Sequence, residues 1–485
     1  MDPELRGFAE SFRRFIERMT ELAHASAGPS GLRARLDAHL GGEASGLPVV
    51  VEEFAPYDHA NVQVGLSAYL EAPGRRHELL GLTGPGRHHL SFADLLEQPY
   101  GIGLGSVDLV NLPIGPDETL ACVRFGIYLV ADAGTPLAIV VRGPQEEFGL
   151  GSVRLEVLCR DPGHARRLLA EVRRLMVERN VFRGQVISFG ESRMGHVTLG
   201  PVVFHRRPEL GRDAVVLAEG ALEAVERHVL GIARLRDRLR ASRQHVKRGL
   251  LLHGPPGCGK TLTVRYLLAQ TPGHTVVLLT GGGLEMLRGA CALARLLQPS
   301  VVVLEDVDLV ARDRDVFTKE QPLLFDLLNE LDGIEEDADV AFVLTTNRAD
   351  LVEPALAARP GRVDLAVEVG LPDARGRRRL IELYGRGLDL RLTDPDRVVA
   401  RTEGVAASFI KELMRRAAVL SAEAMGGAGP ITVTDEHVHA ALDELLGSAS
   451  GIGRALLGGP RRGDVGPGER PGPGRPARPG RGEEG

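Results

Sequence analysis

The string "GPPGCGKT", Gly254 to Thr261, has the spacing of a phosphate-binding loop: it follows the apolar run "GLLLH" and leads into the helical stretch "LTVRYLLAQ". Glycines in such a turn let successive backbone N–H groups point inward around a β-phosphate, and the positive end of the following helix adds to that field. Gly254, Pro255, Pro256, Gly257, Cys258, Gly259, Lys260, Thr261 and Leu262 are therefore the expected nucleotide contacts. Lys260 is expected to bridge the β- and γ-phosphates, and the Thr261 hydroxyl to ligate Mg²⁺. A second string, "VVVLEDVD" from Val301 to Asp308, runs from apolar residues into Glu305, Asp306 and Asp308. Two carboxylates at a strand end downstream of a phosphate loop suit support of the metal by Glu305 and polarisation of an attacking water by Asp306. The chemistry expected of the two strings together is hydrolysis of ATP with Mg²⁺ as cofactor.

Such residues need strands and helices that bring them together. The runs "GLLLH", "TVVLLT", "VVVLE", "VAFVLTT" and "VDLAVEV" are nearly all apolar and alternate with helical stretches, the pattern of a parallel sheet covered on both faces. Beyond Pro372, "ARGRRRLIELY", "ASFIKELMRRAAVLSAEAM" and "DEHVHAALDELL" read as helices of a small α domain. Upstream, "ALEAVERHVLGIARLRDRLRASRQHVKR" reads as a basic helical stretch with a solvated arginine face. Leu120 to Val141 is interrupted by Arg124, Asp132 and Pro136, and reads as two strands around "DAGTP". "VRLEVLC", "PGHARRLLAEVRRLMVERN" and "GQVISF" read as a strand, helix, strand unit whose Leu168, Leu169, Val172, Leu175 and Met176 share one helical face. An amphipathic helix is expected over Glu4 to His24, and disorder is expected past Gly447, where Pro, Gly and Arg dominate. The expected fold class is α/β. Residues 1–205 form an N-terminal α/β domain for substrate or partner recognition, 206–371 an α/β subdomain with a five-stranded parallel sheet, 372–447 a small helical lid and 448–485 a disordered tail.

Composition narrows the function. A chain of 485 residues with 43% hydrophobic and 26% charged residues suits a soluble multidomain protein, and a formal charge of −6 argues against a general nucleic-acid binder. No stretch reads as a membrane anchor, and "MDPELRGFAESFRRF" lacks an apolar signal core, so a cytoplasmic location is expected. Cys122, Cys159, Cys258 and Cys291 lack metal-ligand spacing, which fits buried thiols in a reducing compartment. Lysine is confined to Lys247, Lys260, Lys319 and Lys411, so one at the end of the Gly-rich loop carries weight.

"GPPGCGKT", "VVVLEDVDLV", "LLNELDGI", "VLTTNRADLVEPALAARPGRVDLAVEVGLPD" and "TEGVAASFIKEL", in that order, resemble the AAA family of ring ATPases over Asp213 to Leu446. "RPGRVD" resembles the family's second region of homology. The resemblance implies that Asn347 senses the γ-phosphate and attacking water, and that Arg359 and Arg362 are arginine fingers reaching a neighbouring subunit's site. It thereby implies a ring homo-oligomer, most often a hexamer. The Glu-Asp order of Glu305 and Asp306 resembles the mitochondrial-assembly AAA subgroup and implies slow but real hydrolysis. "TGGGLEMLRGACALARLLQPS" lacks the aromatic that grips substrate in AAA translocases, leaving "MLRG" as the nearest equivalent. Ala407 and Ser408 stand where relatives bring a Gly-Ala pair to the nucleotide, and "RDAVVLAEG" matches poorly to the base-contacting segment. "HELLG" from His77 does not complete HExxH, so no protease activity is expected. The function expected is ATP-driven remodelling of a protein or protein complex, with an ATP-gated assembly scaffold of negligible turnover as the alternative.

Overall fold

A computed structural model of the chain describes residues 14, 18, 31–84, 90–97, 102–144, 151–190, 202–280, 286–310, 330, 333, 335–348, 363–425 and 429–447. Apart from Arg14 and Arg18 the expected N-terminal helix lies outside the described residues, as do the C-terminal tail, Arg359 and Arg362.

The first unit is a sheet between two helical layers. Its strands are β1 (Val49–Phe54), β2 (Arg75–Thr83), β3 (Gly103–Gly105), β4 (Asp108–Pro113), β5 (Thr119–Asp132), β6 (Thr135–Arg142) and β7 (Val153–Leu158). They pair in the order β1-β7-β6-β5-β2-β3, with β4 also on β5, and every pairing is antiparallel. The helices α1 (Gly31–Leu40) and α3 (Phe92–Glu97) cover one face, while α2 (His59–Leu70) and α4 (Pro162–Glu178) cover the other. Double coverage explains why β5 and β6 are nearly all apolar: Leu137, Ile139 and Val141 enter one core and Ala138 and Val140 the other. The two expected strands around "DAGTP" are β5 and β6, joined through Ala133 at φ 49° and Gly134 at φ 86°. Asp161 caps α4, accepting from the N–H groups of Gly163 and His164.

The second unit is a sheet of seven strands. It adds β8 (Val186–Phe189), β9 (Val202–His205), β10 (Arg248–His253), β11 (Thr275–Thr280), β12 (Ser300–Glu305), β13 (Val340–Thr346) and β14 (Leu365–Glu368), in the order β14-β10-β13-β12-β11-β8-β9. All neighbours are parallel except β9, which returns antiparallel along β8. The strand, helix, strand unit read from the sequence is therefore split: β7 lies in the first sheet and β8 in the second, with α4 leading from one to the other. The physical reason is the edge of β11. "TVVLLT" would otherwise present an unpaired apolar edge, and Val276, Val277 and Leu278 instead pair with Val186, Ile187 and Ser188. Val186–Phe189 and Val202–His205, expected within the N-terminal domain, are thus strands of the second sheet, which has seven described strands rather than five.

Contacts join the units. Tyr57 packs edge-on against Phe189 with ring centroids 5.6 Å apart, and Asn61 Oδ1 accepts the Val181 N–H at 2.9 Å. Beyond β9, the Arg207 guanidinium donates to the carbonyls of Gly184, Leu268, Thr271 and His274, tying the exit of this edge to its neighbours.

Before β10 the basic stretch forms α5 (Ala221–Glu226), a π-helical turn (Arg227–Gly231) and α6 (Ile232–Ala241). None of α6 is buried; Arg236 pairs with Asp339 and Arg240 donates to the Asp337 carbonyl. The remaining described helices of the sheet are α7 (Lys260–Ala269), α8 (Leu287–Leu296) and the short α9 (Val307–Val310). "MLRG" runs into α8, where Leu287 is buried in the core.

A helical unit closes the described chain: α10 (Ala374–Tyr384), α11 (Pro395–Arg401), α12 (Ala407–Met425) and α13 (Asp435–Gly447) share one core. The strands β15 (Asp389–Arg391) and β16 (Thr432–Thr434) form a small parallel pair beside them. No described helix is long and apolar enough to cross a membrane.

Candidate nucleotide site

The Gly-rich string forms the turn between the C-terminal end of β10 and the first residue of α7, the position where a parallel sheet presents ligands. Its glycines are required by conformation and by space. Gly254 and Gly257 sit at φ 141° and 77°, and a Cβ on Gly257 would lie 2.1 Å from Ser408 Oγ. A Cβ on Gly254 would lie 2.3 Å from the Val369 carbonyl oxygen.

Lys260 opens α7 and is only 7% exposed. Its Nζ donates to the carbonyls of Gly254 at 2.7 Å and Pro255 at 2.9 Å, and to Asn347 Oδ1 at 2.8 Å. Burial lowers the pKa of this ammonium, against the opposing pull of Asp306 and Asp308. Asn347, at the end of β13, turns its other amide atom to the acidic strand end: Nδ2 donates to Asp306 Oδ1 at 3.1 Å. An amide between an ammonium and a carboxylate has one satisfactory orientation, oxygen to lysine and nitrogen to aspartate.

Asp306 has φ 51°, in the left-handed region that Asp and Asn enter more readily than most residues. Its N–H donates to Thr345 Oγ1 at 3.0 Å, which helps hold this backbone turn. The turn ends β12 and starts α9, and it aims the shorter acid at Asn347. This gives a physical reason for an aspartate in second place. Glu305, the last residue of β12, lies within reach of the Thr261 side chain. Burial pushes the Glu305 carboxyl above its ordinary range, the Thr261 side chain pulls it back, and the charge on Asp306 raises it further. A hydroxyl and a carboxylate form a hard-oxygen pair suited to Mg²⁺. Among the described residues no group of three or more His, Cys, Asp or Glu side chains could hold a metal.

A cavity of about 370 Å³ joins these groups to the helical unit. Pro256 through Leu262, Asp306 and Asn347 line one side, and Leu380, Tyr384, Ala407, Ser408 and Lys411 line the other. The Ser408 N–H donates to the Gly257 carbonyl at 3.0 Å, so the start of α12 is hydrogen-bonded to the loop. Gly254 and Pro255 serve the site through the carbonyls that hold Lys260.

The structure also supplies what the sequence reading left unassigned. Val215, Val216 and Leu217, within the poorly matched "RDAVVLAEG", line the same cavity as Leu380 and Tyr384. Together they make an apolar slot of the kind a flat base enters. Arg212 pairs with Glu223 and Glu226 of α5, while Asp213 pairs with Arg386 just past α10, so the segment is tied to both sides. The available signal was the apolar triplet itself, placed just before the first helix of the second unit.

Residues 250–371 match the family model described as "ATPase family associated with various cellular activities (AAA)". The chain is 32% identical over 246 residues to the ATP-dependent zinc metalloprotease FtsH 2 of Sphaerobacter thermophilus, covering 48% of this chain and 37% of that protein. It is 33% identical over 192 residues to the proteasome-activating nucleotidase of Methanothermobacter thermautotrophicus, covering 36% and 46%. It is 35% identical over 190 residues to the 26S proteasome regulatory subunit 6B homolog of Encephalitozoon cuniculi, covering 36% and 49%. The chain thus spans less than half the length of each of these relatives.

Proposed function

We propose that this protein is an AAA-type ATP hydrolase that couples ATP binding and turnover to remodelling of a protein or protein complex. The observation that carries the reading is the continuous hydrogen-bonded path Lys260–Asn347–Asp306 at the mouth of the Gly-rich loop. It joins a phosphate-binding cation, a water-orienting amide and a candidate base.

Each group has a task. The loop N–H groups and Lys260 hold the β- and γ-phosphates, and the apolar slot at Val215 to Leu217 takes the base. Asn347 orients the attacking water, and Asp306 accepts its proton as the water attacks the γ-phosphorus. The bond to the β-phosphate oxygen breaks, leaving ADP and phosphate. Bound Mg²⁺, held by Thr261 and supported by Glu305, would neutralise charge on the phosphate oxygens. The Glu-Asp order is retained as a working site of the kind found in the mitochondrial-assembly subgroup, because the backbone at Asp306 suits the shorter acid.

Arg359 and Arg362 are proposed to complete a neighbour's site, which makes the protein a ring homo-oligomer, in the first instance a hexamer. Protein as the substrate class is supported by the names of relatives that act with a proteasome. The first sheet and its helices, within residues 1–205, are the proposed recognition domain, followed by the ATPase unit, the helical lid over 372–447 and the tail over 448–485. Cys122, Cys159, Cys258 and Cys291 are free and buried, which supports a reducing compartment, and the cytoplasm is proposed.

The test is steady-state ATP hydrolysis against protein concentration, with Arg362→Ala as the control. Turnover per subunit should rise cooperatively with concentration and collapse in the variant. Turnover independent of concentration and equal in the variant would contradict a site completed in trans.

A further inference from the structure

The string Glu305-Asp306-Val307-Asp308 contains a third acid to which the reaction assigns no role. Asp308 lies in the first turn of α9 and is 3% exposed. A carboxylate so deeply buried carries a desolvation cost that hydrogen bonds must offset. Its Oδ1 accepts from Thr346 Oγ1 at 3.0 Å and from the backbone N–H of Asn347 at 3.0 Å. Thr346 Oγ1 in turn accepts the Arg348 N–H at 3.0 Å. One oxygen of Asp308 therefore grips the end of β13 on both sides of the Thr346–Asn347 peptide.

We infer that Asp308 is a positioning residue for the hydrolysis proposed above: it fixes the backbone of Asn347 so that the amide reaches Lys260 and Asp306 together. Resting as it does on the proposed ATPase function, the role has a geometric basis. Asn347 leaves β13 where ladder pairing stops, since β13 pairs with β10 through Thr346 and with β12 only through Leu344. Strand pairing does not hold the Asn347 backbone, and the described hydrogen bond to its N–H comes from Asp308. The Asn347 side chain has two partners on different elements, Lys260 of α7 and Asp306 after β12. A small rotation of its backbone would break one contact or the other, and displacements of about an ångström in a reacting group can cost ~100-fold in rate. Asp308 does not touch the cavity, whereas Asp306 and Asn347 line it. Its hydrogen bonds therefore act through Asn347, beside the charge it adds near Lys260, and on this inference the acids at this strand end divide into metal support, proton acceptance and alignment.

The test is a double-mutant cycle on full-length protein, reading kcat, KM for ATP and melting temperature with an ATP analogue bound. Asp308→Ala should lower kcat by roughly 10- to 100-fold while KM changes by less than about threefold, because alignment matters most at the transition state. In an Asn347→Ala background, Asp308→Ala should change kcat by less than about twofold, since the residue it acts through is gone. Asp308→Asn keeps an acceptor oxygen and should retain kcat within about threefold. Additive losses in the cycle, a raised KM at unchanged kcat, or equal loss in the Asn and Ala variants would each overturn the inference. If Asp308→Ala fails to fold, Asp308→Glu keeps the charge and displaces the acceptor. It should lose at least about tenfold in kcat, and full kcat would overturn the inference. Parent protein that turns over ATP no faster than Asp308→Ala refutes this role alone; parent protein that binds ATP without turnover refutes the proposed function and this role with it.

Discussion

Asn347 Nδ2 donates to Asp306 Oδ1 at 3.1 Å, so the residue that follows β13 restrains the acid that follows β12. The parallel pairing of these strands brings their C-terminal ends side by side. The asparagine's remaining oxygen accepts from Lys260, which couples the Gly-rich loop to the acid. A carboxylate in a left-handed backbone conformation is thereby held within reach of the Asn347 amide.

Lys260 is the buried cation of the loop, and a hydrogen bond to a charged partner contributes on the order of 1.5–3 kcal/mol. Lys260→Ala should weaken binding of a fluorescent ATP analogue by roughly 10- to 100-fold. Unchanged affinity would remove Lys260 from the phosphate site.

Gly257 sits at φ 77°, and an added Cβ would meet Ser408 Oγ at 2.1 Å and Ser408 Cβ at 3.1 Å. Gly257→Ala should therefore cost ~1–2 kcal/mol in backbone conformation and loosen the start of α12 from the loop. Amide exchange at Ser408, whose N–H is bonded to the Gly257 carbonyl, should accelerate by at least about tenfold. Exchange at the parent's rate would show that this contact does not dock the helical unit.

Asp58 stands where α2 begins, between Tyr57 and the Asn61 side chain that donates to its Oδ1 at 2.9 Å. Burial pushes its carboxyl up to about 6, with the Asn61 hydrogen bond opposing. The folded protein thus favours the protonated form. Its contribution to stability is full below the ordinary aspartate value and is lost as pH rises through about 6. Asp58→Asn, neutral throughout, should match the parent near about pH 4 and exceed it by about 2 kcal/mol near about pH 8. Melting curves across that range check it; a constant difference between the two proteins at every pH would contradict it.

The legible parts of this molecule were those whose chemistry is local. "GPPGCGKT" declares a phosphate loop because only that spacing turns backbone N–H groups inward, and "VVVLE" declares a buried strand because both faces are covered. Partnership between strands was less accessible. "GQVISF" reads correctly as a strand, yet its place beside β11 depends on a long-range pairing that no local pattern encodes. The apolar slot escaped notice for a related reason. Val215, Val216 and Leu217 resemble any short apolar run, and Leu380 and Tyr384 resemble ordinary helix-core residues; that they line one cavity appears only in the folded chain. The left-handed backbone at Asp306 is likewise visible only in the folded chain.

The central claim is that Asp306 is the base of a working ATPase, and the most direct measurement is phosphate release at saturating Mg²⁺ and ATP by the parent and by Asp306→Asn. Asparagine tolerates the left-handed backbone and can still accept from Asn347 Nδ2, so the substitution removes little besides basicity. The expected result is turnover by the parent, ATP binding within about threefold in the variant, and a rate lower by roughly 10²- to 10⁴-fold. Parent protein that binds ATP without releasing phosphate, or a variant that turns over at the parent's rate, would contradict it.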